Sequence, residues 1–550
     1  MHIEKNVIDN VYGTLLNLDG KTKDNLKARL DLQEMGIRRE LHPQKISSNK
    51  TYLPPACFSM ILKEKDDFLK VLKGVKVPDG YASNISRCIQ LRQRKIIGLK
   101  SHDGHILMQQ LLPIALRGTL PKKVTSPLIE LSCFFREICS KVLQVEELDR
   151  LASRIVLALC NLERIFPPSF FTVMVHLVVH LATEAKIAGP VHYRWMYPIE
   201  RYLQRLKSYV RNKAHPEGSI AEGYIAEECL IFCSRYLESI ETVFNRPLRN
   251  VEDSTGAIMN IELDQKSWIQ AHRYVLFNND EIQPYRIEHK EHIKRQSHPR
   301  RLTDEVLNKM HMEKFCEWFR SYVSCAMDDT RKQQLTDEIK WLAQGPNTLA
   351  RRFKRYFVNG FKFRIKNYEE TKKTQNSGVC VATEGGTMYY GVLFDIIELN
   401  YFDKLNYVLF KCNWADVNTS RGYKIDEYGF NLVNFSHLIH TGERLNDEPF
   451  VLSSQATQVY YVGDVRHENW LVVVKTKARD VFDVGTTELG DGDVDNYYDN
   501  EPYNMIVEDT HVDANENLNW ARNDTDGTTI NIPLPLDNQL IDEDDLDEDV

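Results

Sequence analysis

An α+β chain of several domains is what this sequence predicts, on three observations. Its 550 residues exceed what one hydrophobic core organises, so roughly two to four domains are expected. Between about residues 99 and 245, apolar side chains recur at intervals of three and four, the period of a helix with one buried face. From about Met388 the period falls to two, in β-branched and aromatic runs separated by Gly, Asn and Asp turns.

Taken in order, residues 1–98 read as mixed, with helix signals first and a break at Pro54-Pro55. Residues 99–245 carry SPLIELSCFFREICSKVLQ and VEELDRLASRIVLALCNLERIF, two amphipathic helices closed by Pro167-Pro168. Residues 246–360 alternate short helical and strand-like pieces, including SWIQAHRYVLFN and LNKMHMEKFCEWFRSYVSC. They end in a basic stretch, LARRFKRYFVNGFKFRIK, that reads as a linker. Residues 361–482 hold YYGVLFDIIELNY, YVLFKCNWADV, QVYYVGDV and WLVVVKTK, expected to close as a small antiparallel β barrel. Residues 483–550 are acidic and aperiodic, so a disordered tail is expected there.

Charge is unevenly placed. From Asp480 onward 22 acids face one base, Arg522, while the preceding residues hold 69 bases and 56 acids. A basic body with an acidic tail suits a polyanionic partner such as DNA. Eleven scattered cysteines without paired short spacings read as thiols, not a disulfide framework. The longest apolar runs carry polar breaks and fall short of the roughly 20 residues of a membrane span, so no membrane partner is expected.

Four groups of residues carry candidate chemistry. His176 and His180 are four apart, as are Cys229 and Cys233, so each pair shares a helical face. Converging, they would make a structural Zn²⁺ site; packed separately, they are core histidines and thiols. His102, Asp103 and His105 form a polar cluster in KSHDGH, where Asp103 alternatively caps a helix. Arg201, Arg205, Lys207, Arg211 and Lys213 surround a helix with Tyr202 and Tyr209, and Arg351, Arg352, Lys354 and Arg355 interleave with Phe353, Tyr356 and Phe357. Such basic, aromatic stretches meet phosphates and unpaired bases, although a solvated charged face looks the same in sequence. Trp414, Tyr389, Tyr390, Tyr428 and Phe430 fill a barrel interior more readily than they form a methyl-lysine cage.

The motifs MHIEKNVIDNVYGTLLN, YLPPACFSM, VPDGYASNI, LKSHDGHILMQQLLPIALRG, HYRWMYPIERY, AEGYIAEECLIFCSRYL and AHRYVLFNNDEIQPY occur in that order. They resemble the transposases of plant En/Spm-like (CACTA) DNA transposons over roughly residues 1–325. Residues 340–480 resemble the small β module that often follows in such proteins. The resemblance implies a Mg²⁺-dependent nuclease with three catalytic acids on an RNase H-like fold interrupted by a helical insertion. Two-metal phosphodiester chemistry needs those acids together. In the family the first two lie upstream of the MHIEKN motif, where this chain starts. The expectation is therefore an incomplete RNase H-like portion, poorly packed over residues 1–98, with Glu200 the first and Glu222 the second candidate for the surviving acid. Glu200 alternatively pairs with Arg201 or Arg205. The resemblance further implies a nuclear, transposon-derived protein that binds DNA, transposase subunits or chromatin proteins without cutting alone. The alternatives are a subunit or fragment of an active transposase and a purely protein-binding module.

Overall fold

The alternating run Met388–Tyr401 pairs antiparallel with Leu405–Ala415 and forms the spine of the molecule. In this computed structural model the described residues are 2–47, 49–79, 81, 84–234, 236, 259–297, 302–328, 335–383, 385–476 and 519–531. Among them the spine belongs to an eleven-stranded sheet. Its main path runs Tyr423–Ile425, Asn431–Val433, Leu471–Lys475, Thr457–Gly463, Gly378–Ala382, Met388–Tyr401, Leu405–Ala415 and Leu438–Ile439.

The sheet does not close, which corrects the expected barrel. A small barrel buries one face of each strand on itself, whereas here helices cover both faces. On one side, Ile397, Leu399, Tyr401, Leu409 and Phe450 pack with the helices Gln265–Phe277, Asp304–Asp328 and Asp337–Gln344. On the other, Tyr428, Phe430, Leu432, Tyr460, Val462, Val472 and Val474 join the core of the N-terminal helices. The aromatic residues weighed as a cage are dispersed: Phe430 and Tyr428 in that core, Trp414 and Tyr390 in two others.

That N-terminal core runs without interruption from Val7 to Ala185. The helix His2–Leu15 is buried on nearly every side, with Val7, Ile8, Val11 and Leu15 wholly inaccessible. Residues 1–98 are thus firmly packed, contrary to expectation, because the helices beyond residue 99 supply the apolar surface they need. Lys122–Ile138 lies against Val145–Glu163, where Arg154 bridges Glu130 at 2.7 Å and Glu137 at 3.0 Å. Ion pairs join this body to the C-terminal strands: buried Arg117 meets Asp426 at 2.6 Å, and Asp79 meets Lys362 at 2.6 Å and Arg364 at 3.2 Å on the strand Phe361–Arg364. Burial alone would raise the Asp79 carboxyl, but those two cations bring it down to about 2. No RNase H-like sheet order is evident among these described strands.

Two further expectations change. The basic stretch is no linker: Leu349–Phe353 pairs with Met388–Tyr401 and with Met259–Glu262, and Arg355–Val358 forms a hairpin with Phe361–Arg364. Of the tail, residues 519–531 are described and are ordered against the N-terminal body; its other residues lie outside the described set. Thr528–Asn531 pairs with Lys50–Leu53, completing a three-stranded sheet with Gln44–Ser47. The Trp520 indole donates to the Arg164 carbonyl at 3.0 Å, and Cys57 N–H donates to the Trp520 carbonyl at 2.7 Å. This strand covers an edge whose amides would otherwise be open to another chain.

Candidate functional site

An enclosed polar group lies where three helices meet. Ser101–Ile106 continues through a π-helical turn, Leu107–Leu111, into Leu112–Leu116. A π turn widens the helix and re-aims its side chains. Gln109 in that turn reaches across to the first helix: its Nε2 donates to Glu4 Oε1 at 2.9 Å and to the Phe135 carbonyl at 3.2 Å. Glu4 Oε2 lies 2.6 Å from His105 Nδ1, and Cys139, just past Lys122–Ile138, completes the group. Ligand atoms of Glu4, His105 and Cys139 all fall within 4.8 Å of one another, and all three residues are buried. Trp195 stacks edge-on to the His105 ring, centroids 5.7 Å apart.

Of the KSHDGH motif, His105 therefore belongs to a site, while Asp103 caps: its carboxylate accepts from Lys100 N–H at 3.2 Å. The His102 side chain lies outside the described residues. Glu4, Gln109 and Cys139 escaped sequence reading, since Glu4 and His105 are 101 positions apart. One carboxylate with an imidazole and a thiol does not fit the Mg²⁺ that the resemblance implies, which takes oxygen donors.

A second site follows directly along the chain. Tyr197–Ser208 and Pro216–Ser234 pack against each other, with Arg205 ion-paired to Glu227. Tyr209 lies so close over Gly223 that a Cβ there would sit 2.6 Å from the tyrosine Cβ. Lys207, Arg211 and Lys213 are exposed, with no ion-pair partner among the described residues. Tyr202, Leu203, Ile225, Leu230 and Phe232, on the same two helices, and Tyr193 just before them are also exposed. Glu200 and Arg201 lie in the Tyr197–Ser208 helix, their side chains outside the described residues; Glu222 is exposed on the second helix.

The other basic candidates are differently placed. Arg352 pairs with Asp395 at 2.7 Å and Arg351 with Glu398 at 3.5 Å, both acids on the neighbouring strand. Lys354 sits over the Tyr368 ring at 4.7 Å, and Arg355 opens the following hairpin opposite Arg364. Burial pushes the Asp395 carboxyl up, and the Arg352 guanidinium opposes this. These arginines serve the sheet first, because a buried acid on the central strand requires a counter-charge.

The expected zinc quartet is not assembled. His176 and His180 approach each other, Nε2 to Nε2 at 3.4 Å, but Cys229 and Cys233 are exposed on the Pro216–Ser234 helix. Among the described residues, Glu4, His105 and Cys139 are the one group of three metal-ligating side chains brought together. Two histidines four apart face one way on any helix; nothing in that spacing directs a distant cysteine pair toward them.

Two family models match the chain. Residues 138–251, which include Cys139 and the helix pair, match a domain of unknown function, DUF4218. Residues 397–473, in the large sheet, match a second domain of unknown function, DUF4216. Both are found in plant transposase-derived proteins, so the class they define is a transposase-like protein with a transposon-related function. No curated protein and no solved structure gives a match.

Proposed function

We propose that this chain is a transposon-related protein of the En/Spm-like (CACTA) kind that binds DNA through the helix pair Tyr197–Ser234. The observation carrying this reading is the contrast between its two basic stretches. Arg351 and Arg352 face acids of their own sheet, whereas Lys207, Arg211 and Lys213 stand in solvent and the same helix pair exposes tyrosines. Cations already neutralised within the fold release few counterions on meeting phosphate; unpaired ones release the most. A nuclear location follows from such a role.

The test is fluorescence anisotropy of the full chain on a short duplex between 50 and 200 mM salt. The triple variant K207A/R211A/K213A should lower the salt slope by roughly two to three, at about 0.9 per phosphate contact. Binding indifferent to both salt and the triple substitution defeats the proposal. Nicking of supercoiled DNA by the purified chain with Mg²⁺ or Mn²⁺, abolished by Glu200→Ala, would instead show an enzyme that cuts by itself.

A second reading rests on the apolar residues of the same helices. Leu203, Ile225, Leu230 and Phe232 are 56–61% exposed, and a patch of that kind suits a transposase subunit or chromatin protein. Loss of partner capture in L203A/F232A, with DNA affinity intact, would separate the two.

A further inference from the structure

We propose that Glu4, His105 and Cys139 form a buried site for one transition-metal ion, with Zn²⁺ the best match. The site lies on residues distinct from the DNA-contacting helix pair and does not depend on that reading.

Donor type, convergence and charge each point there. Carboxylate oxygen, imidazole nitrogen and thiolate sulfur are the three ligand classes zinc accepts, and a soft sulfur beside an imidazole selects against Mg²⁺ and Ca²⁺. The three come from separate parts of the chain, near residues 4, 105 and 139, and converge within 4.8 Å in the interior. Zinc bonds of about 2.0–2.3 Å put neighbouring donors roughly 3.3–3.8 Å apart, so the present spread needs only small side-chain rotations. With a neutral imidazole, Zn²⁺ with one carboxylate and one thiolate sums to zero charge. That removes the penalty of a buried net charge.

Surrounding contacts orient the ligands as outer partners do in metal sites. Gln109 Nε2 lies within hydrogen-bond distance of Glu4 Oε1, His105 Nδ1 and the Phe135 carbonyl, at 2.9, 2.9 and 3.2 Å, so it orients both the carboxylate and the imidazole. Trp195, edge-on to the imidazole at 5.7 Å between centroids, restricts the plane of the ring. Three protein donors leave one tetrahedral position for water.

The experiment uses the full chain purified without added metal. Its zinc content is measured by plasma mass spectrometry, and chelator-stripped protein is then titrated with Zn²⁺ and with Co²⁺. The expected result is one ion per chain and a thiolate-to-cobalt charge-transfer band. Cys139→Ser should remove the band and weaken zinc at least about 100-fold. Gln109→Ala, touching an outer partner, should cost roughly 10–100-fold. Cys160→Ser, at an exposed thiol, should change neither. If Cys139→Ser does not fold, alkylation of the parent decides: Cys139 should resist iodoacetamide with zinc and react after stripping. A stripped chain that binds neither ion, or zinc stoichiometry and cobalt band unchanged in Cys139→Ser, overturns the site and leaves a Glu4–His105 ion pair.

Discussion

Arg522 grips Glu64 through both terminal guanidinium nitrogens, at 2.7 and 2.8 Å, across 458 residues of chain. Both side chains are mostly buried, at 10% and 18% exposure, and Arg522 also bonds the Ser59 carbonyl at 3.1 Å. The one base of the acidic tail is thus its anchor. Arg522→Ala should destabilise the chain by about 1.5–3 kcal/mol, the range for charge-assisted hydrogen bonds in such surroundings. Hydrogen exchange should quicken at the amides of Lys50–Leu53. Asp524→Asn, at an exposed partner of the same arginine, should do much less. Unchanged exchange in Arg522→Ala would mean that the strand holds without its anchor.

Buried histidines make the central helical layer acid-sensitive. Burial lowers His272 to about 3, His289 to about 4 and His311 to about 3, from an ordinary 6.5. His289 and His311 face each other, Nδ1 to Nδ1 at 2.7 Å, so at least one must stay unprotonated on that nitrogen. Below pH 6.5 the unfolded chain takes up protons that the folded chain refuses. Stability is therefore complete above 6.5 and falls as pH drops toward 4 and 3, by up to about 1.4 kcal/mol per unit for each histidine. Asp79, lowered from 3.8 to about 2, adds its own loss only below about pH 4, under the values at which midpoints are compared. Urea midpoints at pH 7, 6 and 5, read by the fluorescence of Trp318 beside His289, check it. A flat profile contradicts it.

The Arg352–Asp395 pair predicts an opposite pH trend. Because the folded carboxyl of Asp395 is raised, its ionised form costs stability above that pKa, and the cost fades as pH falls. Arg352→Ala should enlarge the cost. A fully buried pair loses about 3–5 kcal/mol on breaking; with Arg352 42% exposed, roughly 1–2 kcal/mol is expected near pH 7. The deficit should shrink once pH falls far enough to protonate Asp395 and largely vanish in R352A/D395N. A deficit undiminished in R352A/D395N would refute the pairing argument, and DNA affinity should be unaffected throughout.

At Gly223 the sign of one substitution reports on the helix pair. On an isolated helix, Gly→Ala gains about 1 kcal/mol. Against Tyr209, an added Cβ has only 2.6 Å and must displace the ring or the helix. Gly223→Ala should therefore destabilise the chain, and Tyr209→Ala in the same background should restore the gain. Stabilisation by the single substitution would show that the two helices do not pack at this point.

Alternation of apolar residues made Met388–Tyr401 and Leu405–Ala415 legible as strands, because a side chain's face on a strand is set by counting to two. Closure was not legible. Asp395, Ile396 and Ile397 are buried in succession, which signals cover on both faces but resembles any apolar run. The strand Leu349–Phe353 was misread because its arginines outweigh its buried positions, Ala350 and Phe353, and their counter-acids lie more than forty residues away. In the tail, overall acidity masked a short ordered segment whose cues were one tryptophan, one arginine and the β-branched Thr-Thr-Ile. The metal-ligating group needed Glu4, His105 and Cys139 to meet, a matter of tertiary distance that no local spacing encodes.

Lys50–Leu53 receives its second neighbour only when Thr528–Asn531 arrives, 477 positions after Tyr52 in the register Tyr52–Thr529. A ribosome adding about 5–20 residues per second needs roughly 25 to 95 seconds to cover that interval. For that period the newly made N-terminal body stands with one sheet margin unfinished. Nascent chains on one messenger would be most prone to cross-pair at this margin, and chaperone demand should peak before translation ends.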